Sequence, residues 1–104
     1  MILYEVRLDV DAEIAQEFRE WLGAHVREII ELKGFLHADI FAEPREFGRV
    51  GWCTHYWLID REALDDYLRD HAPRMRAQGQ QRFPGGFAAE RRVLALDQRL
   101  QGGA

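Results

Sequence analysis

The sequence predicts a single-domain α+β fold in the order strand, helix, strand, strand, helix, strand. Three observations carry this expectation. Alternating apolar and polar residues mark four strand segments, because a strand turns successive side chains to opposite faces. Apolar residues three and four apart mark helices after the first and third of these segments. Capping acids, glycines and prolines fall at the junctions.

The first strand is Ile2 to Val10, with Ile2, Tyr4, Val6, Leu8 and Val10 on one face and Glu5, Arg7 and Asp9 on the other. Leu3 is the apolar exception. Asp11 has the carboxylate needed to cap the helix that follows, which runs to about Leu32. Its stripe is Ile14, Phe18, Trp21, Leu22, His25, Val26, Ile29 and Leu32, and Gly34 stops it. The second strand, Phe35 to Glu43, and the third, Val50 to Ile59, flank a turn over Pro44 to Arg49. Asp60 caps the second helix, with Leu64, Tyr67, Leu68, Ala72 and Met75 at helical spacing. Pro73 interrupts or restarts that helix, which continues to about Phe83. Pro84-Gly85-Gly86 is a turn, Phe87 to Leu96 the last strand, and residues 98–104 a flexible tail beyond a domain of residues 1–97.

This order is the ferredoxin-like split arrangement: a four-stranded antiparallel sheet with two helices on one face. Leu36, Ala38 and Ile40 are expected to join the even-numbered side of the first strand beneath the helices. The uncovered face then carries Glu5, Arg7, His37, Asp39, Cys53 and His55 among Phe35, Phe41 and Trp57, with Leu94 and Leu96 beside them. Such a row of rings predicts a partner, and two sheets meeting across a two-fold axis supply one, so a homodimer is expected.

Composition narrows the function classes. At 104 residues, 47% hydrophobic and 31% charged, the chain matches an ordinary globular domain. No apolar run approaches the roughly 20 residues of a membrane span, and no signal-peptide pattern opens the chain. One cysteine, Cys53, excludes an internal disulfide framework and points to a reducing cytoplasm. A net charge of −4 argues against nucleic-acid binding. The charge is uneven, −8 over residues 1–72 and +4 over residues 73–104.

Tyr4-Glu5-Val6, Glu20-Trp21-Leu22 with His25, and above all Asp70-His71-Ala72-Pro73-Arg74-Met75-Arg76 and Arg91-Arg92-Val93-Leu94 resemble a small bacterial family of unknown function. The resemblance covers nearly the whole domain. That family is similar in architecture to the dimeric α/β-barrel superfamily, which includes cofactor-free monooxygenases, haem-degrading enzymes, isomerases and ligand-sensing domains. The resemblance implies fold and dimer, and it carries over no catalytic residue.

If the hairpin centres near Glu46, His37 faces His55, Asp39 faces Cys53 and Phe35 faces Trp57. His37, His55 and Asp39 are then the catalytic candidates, and Glu5, Arg7, His37, Asp39, His55 and Trp57 the ligand-binding ones. Two histidines with a carboxylate suit a transition metal. The short fixed spacing of a metal motif is missing, so neither metal nor cofactor is expected. His25 reads either as a proton donor at the sheet–helix boundary or as a buried imidazole bonded to a backbone carbonyl, the commoner case. His71 reads as a helix cap, the tyrosines as core or rim, and Cys53 as a packing residue. Arg74, Arg76, Arg82, Arg91 and Arg92 concentrate where the second helix meets the last strand. They form a candidate anion site or answer the acidic surface of residues 1–72.

Two functions follow. The favoured one is a non-catalytic dimeric module that binds or senses a small molecule, because no nucleophile, metal motif or cofactor signature is present. The alternative is a cofactor-free enzyme, monooxygenase- or isomerase-like, with His37 and His55 as its acid–base pair.

Overall fold

A computed structural model describes residues 1–104. Its strands are β1 (Ile2–Asp11), β2 (Phe35–Glu43), β3 (Arg49–Leu58) and β4 (Phe87–Ala95). All pair antiparallel in the order β2-β3-β1-β4. Helices α1 (Ala15–Ile30), α2 (Arg61–Asp70) and α3 (Ala72–Arg82) complete the fold, and a 3-10 turn, Ala12–Ile14, leads into α1. The expected βαββαβ fold is present, with its second helix divided in two.

The local chemistry explains each junction. Asp11 accepts from the Glu13 amide at 3.1 Å, and Asp60 from the Ala63 amide at 2.9 Å. Gly34 takes φ +91°, and its carbonyl accepts the Ile59 amide at 3.0 Å. A Cβ there would overlap the Ala63 methyl, so the turn needs glycine for conformation and space alike. The second helix breaks at His71, one residue before α3 begins. Pro73 then sits in the first turn of α3, where its missing N–H costs no intrahelical bond. His71 closes α2 with its backbone amide, donated to the Tyr67 carbonyl at 2.9 Å, while its side chain caps nothing.

The core lies between the sheet and the helices. Ile2, Tyr4, Leu8 and Val10 of β1 and Trp52, Tyr56 and Leu58 of β3 meet Phe18, Leu22, Val26 and Ile29 of α1. Leu64, Tyr67, Met75 and Phe83 close it from the second helical segment.

Three expectations about the hairpin are corrected. The turn centres on Phe47, not Glu46, with Phe47 (φ +56°) and Gly48 (φ +71°) in the left-handed region. Partners therefore shift by two residues: Asp39 lies opposite His55, His37 opposite Trp57 and Phe41 opposite Cys53. An even shift keeps faces and changes neighbours. Secondly, the pairing slips between Phe35 and His37. The extra residue turns Phe35 into the core, edge-on to Tyr56 at 5.9 Å and Tyr67 at 5.2 Å, so it does not lie on the open face. Thirdly, Leu36 (48% exposed) and Ile40 (41%) do not floor the helices. They sit on the edge strand, and only Ala38 packs against the core.

Candidate functional site

The sheet has two faces with different chemistry. On the open face Glu5 is buried, and Arg92 holds it through Nε at 2.8 Å and Nη2 at 3.3 Å. His55 Nε2 reaches the same carboxylate at 3.1 Å from the opposite strand. The Arg92 guanidinium holds the Glu5 carboxyl below its usual range, and burial works against it. Arg7 binds Glu43 with its nearest contact at 2.7 Å and reaches Glu90 at 3.4 Å. That ion pair likewise lowers the Glu43 carboxyl. Trp57 lies between Leu3 and His37 in register, and the Arg99 guanidinium sits over its ring at 5.4 Å.

The candidate catalytic pair does not assemble. His37 is exposed, 4.0 Å from Asp39, while His55 belongs to Glu5. Glu5, Cys53 and His55 do bring three ligand-type atoms within 4.8 Å of one another. Arg92 already neutralises that carboxylate, and burial, followed by Glu5 and Glu43, pushes the Cys53 thiol up. Glu5 and Glu43 on this face are thus each answered by an arginine, while Arg45 Nε, over Gly51, is left without a partner.

The five arginines also separate. Arg74 pairs with Glu28 at 3.4 Å, Arg82 with Glu17 at 3.6 Å, and Arg92 with Glu5 on the open face. Although Arg91 also borders the open-face groove beside Glu90, only Arg76 and Arg91 remain together, and they line a different place.

That place is a cavity of about 290 Å3 between the sheet and the helices, with 13 hydrophobic residues among its 20 lining residues. Tyr4, Tyr56 and Tyr67 form one wall, with Tyr4 5.8 Å from Tyr56 and 6.1 Å from Tyr67 between ring centres. Arg76 Nη2 donates to the Tyr4 hydroxyl at 3.1 Å. Burial pushes the Tyr67 hydroxyl up to about 12, with Tyr4 adding to it, and burial raises Tyr56 further. Tyr56 and Tyr67 therefore stay neutral donors at ordinary pH.

His25 stacks on Trp21 at 4.4 Å, and its Nδ1 is buried without a hydrogen-bond partner. The backbone carbonyl expected for it is not there. Thr54, 1% exposed on β3, also leaves its Oγ1 unpartnered. Both residues line this cavity. Sequence reasoning missed it by looking at the opposite face. The available signals were an imidazole on an apolar helical stripe and the β4 alternation that sets Arg91 beside Val93 and Ala89.

Burial lowers the His25 pKa, opposed by the Glu28 charge and by hydrogen bonding from the Gln78 side chain, with Arg91 adding to the fall. A histidine that prefers neutrality when folded destabilises the fold once the unfolded chain takes up protons. Its contribution is complete above about pH 6.5 and is lost as pH falls below that value. Melting temperature measured from pH 7.5 to 5 is expected to fall less for His25→Gln than for the natural chain. The lowered carboxyls of Glu5 and Glu43 act only near and below about pH 4.3, outside this window. Identical slopes for the two proteins would contradict the assignment.

An antiparallel ferredoxin-like sheet roofed on one face, with a polar-tipped cavity beneath the roof, defines a small α+β domain. The chain belongs to a family described as a domain of unknown function, DUF4286, which matches residues 1–96. No functionally curated protein matches it. Among solved structures, a Deinococcus radiodurans protein named for the antibiotic biosynthesis monooxygenases superposes with a TM-score of 0.79 at 11% identity, covering 100% of both chains. A variant of SnoaB, a cofactor-independent oxygenase from Streptomyces nogalater, gives 0.70 at 14%, covering 97% of this chain and 98% of its own. A MhuD variant with two manganese protoporphyrin IX molecules per active site gives 0.71 at 14%, covering 98% and 100%. At such identity these likenesses establish the fold and not the chemistry. No helix is long and apolar enough to cross a membrane.

Proposed function

We propose that this protein binds a small, largely planar molecule in the sheet–helix cavity and pairs with a second copy through its open sheet face. One observation carries the ligand reading: His25 Nδ1 and Thr54 Oγ1, both buried and unpartnered, line the same cavity. Buried polar atoms nearly always have a partner; of the three without one, Arg45 Nε lies over Gly51 away from the cavity, while the other two line it together and support a ligand that supplies the partner. The volume stands at the lower edge of the roughly 300–1,000 Å3 range of small-molecule sites. It suits one or two rings, and a porphyrin macrocycle exceeds it. The open face offers an organic ligand less, because its charged groups already answer one another.

Thr54→Val tests this reading because it separates stability from binding. Replacing an unsatisfied buried hydroxyl by a methyl removes a desolvation cost of about 1–3 kcal/mol. The ligand-free variant is expected to melt higher than the natural chain. Its thermal shift with a panel of one- and two-ring hydroxylated aromatics is expected to be smaller. A variant that melts lower, with ligand shifts unchanged, would refute the proposal.

A second reading rests on His25 itself. A neutral imidazole with a free nitrogen inside an apolar cavity has the character of a general base. The cofactor-free enzyme alternative therefore moves from His37 and His55 to His25, a direction consistent with the oxygenase named among the structural neighbours. Turnover of a bound aromatic in air, lost in His25→Gln with binding retained, separates this reading from simple binding.

A further inference from the structure

Resting on the cavity reading, we infer that the ligand is an aromatic monoanion, its ring inside and its carboxylate at the mouth between Arg76 and Arg91. The charge inventory carries this. No aspartate or glutamate is among the 20 lining residues, while two arginines are. Neither Arg76 nor Arg91 makes an ion pair, although the chain carries 18 acids against 14 bases and Arg74, Arg82 and Arg92 each have a carboxylate. Two guanidiniums left without counter-ions at one opening, in a protein of net charge −4, create a local positive field against the global sign.

Burial orders the two ends of the site. The inner lining, Tyr4, Leu22, Thr54, Tyr56 and Met75, is buried, whereas Arg76 and Arg91 are exposed at the opening. A molecule with an apolar body and one charged oxygen end matches that gradient. Arg76 also fixes the Tyr4 hydroxyl by donating to its oxygen, which leaves the Tyr4 proton free for a second acceptor. A carboxylate there would take guanidinium N–H bonds and the phenol together, and charge-assisted bonds are about twice as strong as neutral ones.

The test compares 6-hydroxy-2-naphthoate with its neutral amide, and 4-hydroxybenzoate with 4-hydroxybenzamide, by calorimetry and thermal shift, each probe keeping the hydroxyl that His25 and Thr54 require. Each acid is expected to bind about tenfold or more tightly than its amide, because a hydrogen bond to a charged group contributes more than one to a neutral group. Arg76→Met and Arg91→Met are each expected to reduce that preference, Arg76→Lys to retain part of it, and Arg74→Met, outside the lining, to leave it intact. Added salt should narrow it, since the opening is wet. Equal binding of acid and amide overturns the anion inference and leaves the cavity reading standing. So does a preference that survives both Arg76→Met and Arg91→Met, or one lost in Arg74→Met. Binding of neither acid nor amide overturns the cavity reading, and this inference with it.

Discussion

Phe18→Ala is expected to destabilise the protein by about 3–5 kcal/mol, the cost of emptying a fully enclosed aromatic site. Phe18 is 0% exposed and is the point where β3 and the turn into β4 meet α1. Its ring centre lies 5.0 Å from Phe87, 5.1 Å from Phe83, 5.5 Å from Trp21 and 6.0 Å from Trp52. Those neighbours come from α1, β3 and both sides of the turn into β4, so no single element can collapse to fill the space. Native stabilities run at about 5–15 kcal/mol, and the loss would consume a large part of that. Urea denaturation reads it as a lower midpoint at unchanged slope. A loss below about 1 kcal/mol would show that the cluster packs more loosely than the distances indicate.

Phe18 also shows what the sequence makes legible. Its place on the helical stripe with Leu22, Val26 and Ile29 follows from spacing alone, as do the even-numbered side of β1 and both aspartate caps. These features arise from local periodicity and from hydrogen bonds within a few residues. The bulge at Leu36 leaves no such trace. It exists because Gly34 brings the chain against Ala63 while Phe35 finds the tyrosine cluster, and those contacts span some thirty residues. The hairpin register failed for a related reason, because the turn places a non-glycine residue, Phe47, in the left-handed region.

The site was legible in its parts and not in its assembly. His25 stood out as an imidazole on an apolar stripe, yet the usual rule assigns a buried histidine a backbone partner. Carbonyls along a helix are already engaged by amides four residues on, and the ring lies flat on Trp21 beside empty volume. The arginines gathered in sequence but not in space. Arg91 and Arg92 occupy opposite faces of β4, and Arg74 and Arg76 are 200° apart around α3 at the ideal pitch. Proximity in sequence therefore grouped five residues, of which the fold keeps two at one opening.

The open face supplies the other large effect. Trp57→Ala is expected to weaken self-association about 30-fold or more, since truncating an aromatic anchor that a partner buries costs at least about 2 kcal/mol. Leu94, Leu3 and Trp57 lie side by side across β4, β1 and β3, forming an apolar row at one end of the sheet. Trp57 is half-buried, and Phe41 adds an exposed ring near the opposite end. Between them run charged residues already paired within the chain: Glu5 with Arg92 and His55, Arg7 with Glu43, and Asp9 with Arg49. Pairing matters because an uncompensated charge would make burial of this face against a second copy prohibitive, while a neutralised one leaves the apolar row to drive it. Arg99 over Trp57 shields part of the row from within the same chain, beside the segment Leu96 to Gln98. Arg99→Ala should leave association intact if the partner supplies the cover. Light scattering at micromolar concentration is expected to give twice the 12.2 kDa chain mass for the natural protein and a dilution-dependent fall toward one chain for Trp57→Ala. A natural chain that scatters as a 12.2 kDa particle at that concentration would mean that the charged rows keep the face wet and the rings alone cannot overcome them.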